Sequence, residues 1–147
     1  MATYASFKEG SNNEDDIPIR GLTGERASVV LFGDSLTQRG WGEGGWCSSV
    51  AHLFQRRADV YNRGYGGYNS RWARYLLPHL FPLPGGNPTS KHFLVVVWFG
   101  ANDAALPSEN PHVPLEEYAE NVRAILAHVQ KVRSCLMPVF HYYYCSE

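Results

Sequence analysis

The chain has 147 residues, 44% of them apolar and 14% aromatic, with a formal net charge of -1. That length and apolar content suit one domain with an ordinary core and exclude a compositionally disordered chain. Near-neutral charge supplies no field to gather polyanions, so nucleic acid and anionic membrane are not expected partners, while small, weakly charged ligands remain open.

In chain order, residues 1–27 are polar and acidic in SNNEDD, and are read as a flexible arm ahead of a domain at 28–147. The arm holds no apolar stretch of signal-peptide length and no later run spans a bilayer, so a cytoplasmic location is expected. Ser28 to Phe32 is a strand, apolar without alternation and therefore expected to be buried on both faces. It runs into GDSLTQ, where strand, sharp turn and helix start meet at Ser35. Trp46, Val50, Leu53 and Phe54 recur at helical spacing and predict the first helix from about Gly45 to Arg57.

Ala58 to Asn62 is a second strand, ending in the glycine turn RGYGGYN. Asn69 or Ser70 can cap the next helix, whose apolar side is Trp72, Leu76 and Leu80 and which Pro78 should kink or end early. FPLPGGNPTSK, residues 81–91, is read as a surface loop. Phe93 to Phe99, FLVVVWF, is the strongest strand, again expected to be buried on both faces, and it ends at GAND. Pro114 sits at a predicted first helical position, with Glu116 and Glu117 placed to meet the helix dipole. Behind it Leu115, Tyr118, Val122, Ile125, Val129 and Val132 define a core face, opposite Glu120, Arg123, Gln130 and Lys131. The tail SCLMPVFHYYYCSE is apolar enough for a fourth strand.

Strands alternating with helices predict a doubly wound parallel sheet with right-handed crossovers. The turns at Gly33 to Ser35, Gly64 to Asn69 and Gly100 to Asp103 then share the carboxyl edge, where ligands bind in such sheets. Ser35 offers a hydroxyl nucleophile, the bare glycines a closely approaching N–H, and Asn102 a carboxamide donor. Several donors converging on one point make an oxyanion hole. The competing readings are a helix-capping serine and an Asx turn at Asn102, the latter role falling more naturally to Asp103; Asp34 reads as an anchor of its turn. Trp46, Trp72 and Trp98 have core phases, while Trp41, in a glycine-rich loop beside Ser35, is the candidate for an acyl pocket. Cys47, Cys135 and Cys145 lack metal-ligand spacing and read as reduced structural thiols, so neither a metal nor a cofactor is expected.

GDSL at Gly33 to Leu36, NRGYGGYN at Asn62 to Asn69 and GAND at Gly100 to Asp103 resemble the first three blocks of the SGNH, or GDSL-type, esterases and lipases. The strings GGWCSSVAHLF, RGYGGYNSRWA, WFGANDAALP and HVPLEEYAENV are similar to the isoamyl acetate-hydrolysing esterase group. The resemblance implies a flavodoxin-like α/β/α fold and hydrolysis of a small-molecule ester through an acyl-enzyme. Ser35 would be the nucleophile and a hole donor by its own N–H, Gly67 the second N–H, and Asn102 the side-chain donor.

The family's fourth block, D-x-x-H, is not found: Ser49, Leu76, Thr89, Glu109, Ile125 and Pro138 stand three before the histidines. ENPH at Glu109 to His112 is the nearest analogue, but His112 reads as a loop histidine, and His141 in the tail as an outsider. The domain is accordingly read as C-terminally incomplete, truncated after the third βα unit, with a strand edge open to self-association. A catalytically silent remnant that only binds a ligand or partner chain is the alternative to an active esterase.

Overall fold

The computed structural model describes residues 26–83, 92–132 and 139–140. Four strands, β1 (Ala27–Gly33), β2 (Ala58–Gly64), β3 (His92–Trp98) and β4 (Val139–Phe140), form a parallel sheet in the order β2-β1-β3-β4. Helical segments between successive strands carry the chain back across a face, and so neighbouring strands run in the same direction. Gly33 is in register with Gly64 on one side and Trp98 on the other, which brings three strand ends level. β4 pairs with Val96 and Val97 of β3. Around the sheet lie α1 (Ser35–Arg39), α2 (Trp46–Leu53), α3 (Ser70–Leu80) and α4 (Leu115–Val132). No helix among the described residues is long and apolar enough to cross a membrane.

Alternation along the strands splits the core in two. On one face Val30, Phe32, Val95 and Val97, with Phe99 just past β3, pack against Ala73 and Leu77 of α3 and Ile125 and Val129 of α4. The Phe32 ring meets those of Phe99, Phe81 and Tyr65 edge-on, with centroids 4.8, 5.6 and 6.2 Å away. On the other face Val29, Leu31 and Ala58 pack against Cys47, with Trp46, Val50 and Phe54 alongside.

Several expectations shift. β3 is not buried on both faces: Val95 and Val97 are buried, but Leu94, Val96 and Trp98 are half-buried, because α1 and α2 pack over β1 and β2. A helix forms at Ser35, ahead of the expected first helix, which itself ends at Leu53; Leu53 is exposed, and the neighbouring phase buries Cys47 instead. Pro78 does not stop α3, which runs on to Leu80, and Phe81 N–H still closes onto Leu77 O at 2.8 Å. Phe81, expected in a surface loop, is fully buried; residues 84–91 of that loop lie outside the described part.

α4 begins one residue later than expected, with the Pro114 carbonyl accepting from Tyr118 N, and its first residue Leu115 is exposed rather than core. Ala27 belongs to β1, and Arg26 pairs with Asp59 at 3.5 Å; the rest of the expected arm, Cys135, Cys145 and His141 lie outside the described residues.

Candidate active site

Ser35 stands at the first position of α1, and Asp34 rather than Ser35 caps that helix, its Oδ1 accepting from Leu36 N at 2.9 Å. The hydroxyl is therefore not consumed by capping. Asp34 N–H donates to Trp98 O at 3.3 Å, tying the turn to β3. Gly33 makes the turn possible, since a Cβ there would stand 2.1 Å from Thr37 Oγ1 and 2.5 Å from Trp98 O. A five-residue helix cannot satisfy its own last carbonyls. Trp46 Nε1 donates to Leu36 O at 3.1 Å, and Asn62 Nδ2 and Cys47 Sγ donate to Thr37 O at 2.9 and 3.3 Å. Burial pushes the Cys47 thiol up to about 11, as expected of an unreactive structural cysteine.

The second turn follows β2. Tyr65 N donates to Gly33 O at 2.8 Å, and Tyr68 N closes a β-turn onto Tyr65 O at 3.1 Å. Gly67 is exposed and has φ +80°, the value a type II turn requires at its third residue. Gly66 N–H donates to Gln38 Oε1 at 2.6 Å, and a Cβ on Gly66 would stand 3.9 Å from the Cβ of Ser35.

The third loop leaves β3. Asn102, half-buried, donates from Nδ2 to Tyr68 O at 2.8 Å, the carbonyl one residue past Gly67. A carboxamide nitrogen has two hydrogens, so one remains for a ligand. Asp103 does not form the expected Asx turn. Its buried carboxylate accepts from Ser70 N at 2.9 and 3.0 Å and from the Ser70 hydroxyl, capping α3 from across the site. Ser70 Oγ in turn accepts from Asn121 Nδ2 at 3.1 Å, and Arg74 donates to Asn121 Oδ1 at 2.8 Å. Asn69 accepts from Trp72 N at 2.9 Å and donates to Pro111 O at 2.8 Å.

Burial raises the carboxyls of both Asp34 and Asp103 above their ordinary range. For Asp34 the Leu36 amide opposes the shift and the Asp103 charge adds to it, while for Asp103 the Ser70 hydroxyl and amide oppose it.

The turns carrying Ser35, Gly67 and Asn102 thus meet on one edge of the sheet. Asp103, Ser70, Asn121 and Gln38 also secure them; Ser70 and Asp103 are read from sequence only in local roles, and Asn121 and Gln38 carry no local signal, because their partners lie tens of positions away. No histidine among the described residues is hydrogen-bonded to Ser35. His112 donates from Nδ1 to Ala105 O at 2.7 Å, His128 from Nε2 to Phe81 O at 2.8 Å, and His52 Nδ1 accepts from Gln55 Nε2 at 2.7 Å. Trp41 and Leu36, each 45% exposed, supply apolar surface in the segments next to Ser35. Among the described residues no group of three His, Cys, Asp or Glu side chains could hold a metal ion.

Comparison with known proteins gives the family and the fold. Residues 31–146 match the GDSL-like Lipase/Acylhydrolase family. A GDSL esterase/lipase of Arabidopsis thaliana is 48% identical over 117 residues, 78% of this chain and 47% of that protein. The human isoamyl acetate-hydrolyzing esterase 1 homolog is 46% identical over 106 residues, 71% of this chain and 42% of that one. The chain thus spans about half the length of the curated relatives it matches. The crystal structure of AlinE4, an SGNH-hydrolase family esterase, superposes with a TM-score of 0.55 at 24% identity, covering 73% of this chain and 55% of that one, and shares the fold. With a family match over most of its length and its three motif-bearing turns on one sheet edge, the chain belongs to the GDSL-like lipase/acylhydrolase family.

Proposed function

We propose that this chain is a serine ester hydrolase acting on small or medium acyl esters through an acyl-enzyme. Ser35 Oγ attacks the ester carbonyl carbon and loses its proton to a base, and the carbonyl electron pair moves onto oxygen. The N–H groups of Ser35 and Gly67 and the second Nδ2 hydrogen of Asn102 meet that charge. Collapse expels the alcohol oxygen, which takes up a proton, and water then attacks the acyl-serine to release the acid and restore the hydroxyl. One observation carries this reading: the Gly66–Gly67 turn lies against Ser35 while Asn102 Nδ2 holds Tyr68 O at 2.8 Å. The esterase names of the relatives support an ester as substrate.

A second reading, a chain that binds an ester or a partner without turning it over, rests on the bonds of His112, His128 and His52, which among the described residues go to the Ala105 and Phe81 carbonyls and to Gln55. Loss of a triad nucleophile or base costs about a millionfold in turnover, so the two readings differ sharply in rate. A chromogenic acetate or butyrate ester, hydrolysed by the purified chain and not by Ser35→Ala, supports the hydrolase. Equal background rates leave the silent reading.

On this reading residues 28–147, joined by Ala27 in β1, act as one domain in the cytoplasm, without a nucleic-acid partner. The proposal leaves the β3–β4 edge, where β4 covers Val96 and Val97, as the route of any self-association. Cell fractionation, low-salt filter binding and light scattering test these points.

A further inference from the structure

Gln38 has no part in acyl transfer as described, yet its side chain crosses from the nucleophile's helix to the turn after β2. Its Oε1 accepts from Gly66 N at 2.6 Å, and a Cβ on Gly66 would stand 2.7 Å from that oxygen. Asn102 holds the far end of the same turn at Tyr68 O. Between these anchors Gly67 is exposed, at φ +80°, with nothing within 4 Å of where its Cβ would be. Gly67 has no side chain to hold it in place, and the hydrogen bonds at either end of the turn set the direction of its amide. Gln38 is itself seated by Asn62, whose Nδ2 donates to Thr37 O at 2.9 Å and Gln38 O at 3.4 Å. Ser35 and Gln38 are three apart on α1, so their side chains rise on one side of the helix.

We propose that Gln38 is a positioning residue: by clamping the Gly66–Gly67 turn to the helix that carries Ser35, it aims the Gly67 N–H at the oxyanion. This rests on the serine-hydrolase reading above. The clamp makes nucleophile and donor move as one unit, and a donor left to wander by about 1 Å can lose roughly a hundredfold in rate.

The test compares Gln38→Met, which keeps the reach and removes the acceptor, with Gln38→Glu, which keeps an acceptor oxygen. Gln38 is exposed, so both variants should fold, with thermal midpoints near that of the parent chain. Amide hydrogen exchange at Gly66 and Gly67 reports the clamp without catalysis. Labelling of Ser35 by a fluorophosphonate, with kcat and KM for a chromogenic ester, reports the aim. The expected result is faster exchange in Gln38→Met, with labelling and kcat down about ten- to a hundredfold and KM little changed, and near-parental behaviour in Gln38→Glu. Unchanged Gly66 exchange in Gln38→Met overturns the proposal, as does faster exchange with parental labelling and kcat. A parental chain that neither labels nor turns over, while Gly66 loosens in Met and not in Glu, overturns the hydrolase reading and leaves the clamp standing.

Discussion

On the face covered by α3 and α4, Phe32 is surrounded by three aromatic rings and Ile125 has no exposed surface, whereas on the face covered by α2 the β3 side chains Leu94, Val96 and Trp98 stay half-buried. The site draws on both. Gly67 and Asn102 are tied to the thicker side through Asn69, Ser70, Asp103 and Asn121. Ser35 is carried by a one-turn helix on the thinner side, held by hydrogen bonds from Trp46, Cys47 and Asn62 more than by packing. Gly67 and Asn102 therefore stand on the firmer base, and Ser35 depends on a few polar contacts.

The contrast breaks most directly in the core. Ile125→Ala should cost about 3 kcal/mol in urea unfolding and Leu94→Ala about 1 kcal/mol, because a half-exposed side chain loses less burial and leaves a smaller cavity. Equal losses would contradict uneven cover. Next, Gly33→Ala forces a methyl against Thr37 and the Trp98 carbonyl and should cost about 2 kcal/mol. It should also shift α1 enough to suppress fluorophosphonate labelling of Ser35, and a variant that labels at the parental rate would show that the turn has slack.

A smaller effect comes from the buried carboxyls. In the unfolded chain Asp34 ionises near its ordinary 3.8, while folding holds it higher. Stability from this group is complete below 3.8 and is lost as pH rises through the folded value, since there the native state retains a proton the unfolded state has shed. Asp34→Asn keeps the capping acceptor and removes the charge, so chemical denaturation at pH 4 and pH 7 should show a smaller fall with rising pH than in the parent chain. An identical fall would remove Asp34 from the account. Smallest is the chemistry of Cys47: with its thiol at about 11, mass mapping after exposure to a disulfide reagent at pH 8 should find Cys47 unmodified in the folded chain and modified in denaturant.

Much of this plan was legible in the sequence. The uninterrupted apolar strands and the long three-and-four periodicity of α4 place the parallel layers, and the glycine-bounded turns place Ser35, Gly67 and Asn102 on their common edge. What escaped has physical causes. α1 is a single turn with one buried residue, Thr37, so it has no periodicity to read. An apolar run such as FLVVVWF reports hydrophobicity and not whether a helix lies over each face. Asp103 was assigned a local turn because its partner Ser70 is 33 positions away, and Gln38 and Gly66 are 28 apart. Bonds of that kind follow from register, which only the folded sheet supplies.

The central claim is that hydroxyl, backbone amides and carboxamide face one tetrahedral centre. The most direct measurement is the rate and position of fluorophosphonate modification, followed by intact and peptide mass, in the parent chain and in Asn102→Ala. The account predicts modification at Ser35, slowed about a hundredfold when the carboxamide donor is removed. Modification at another residue, or an Asn102→Ala chain labelled as fast as the parent, would contradict it.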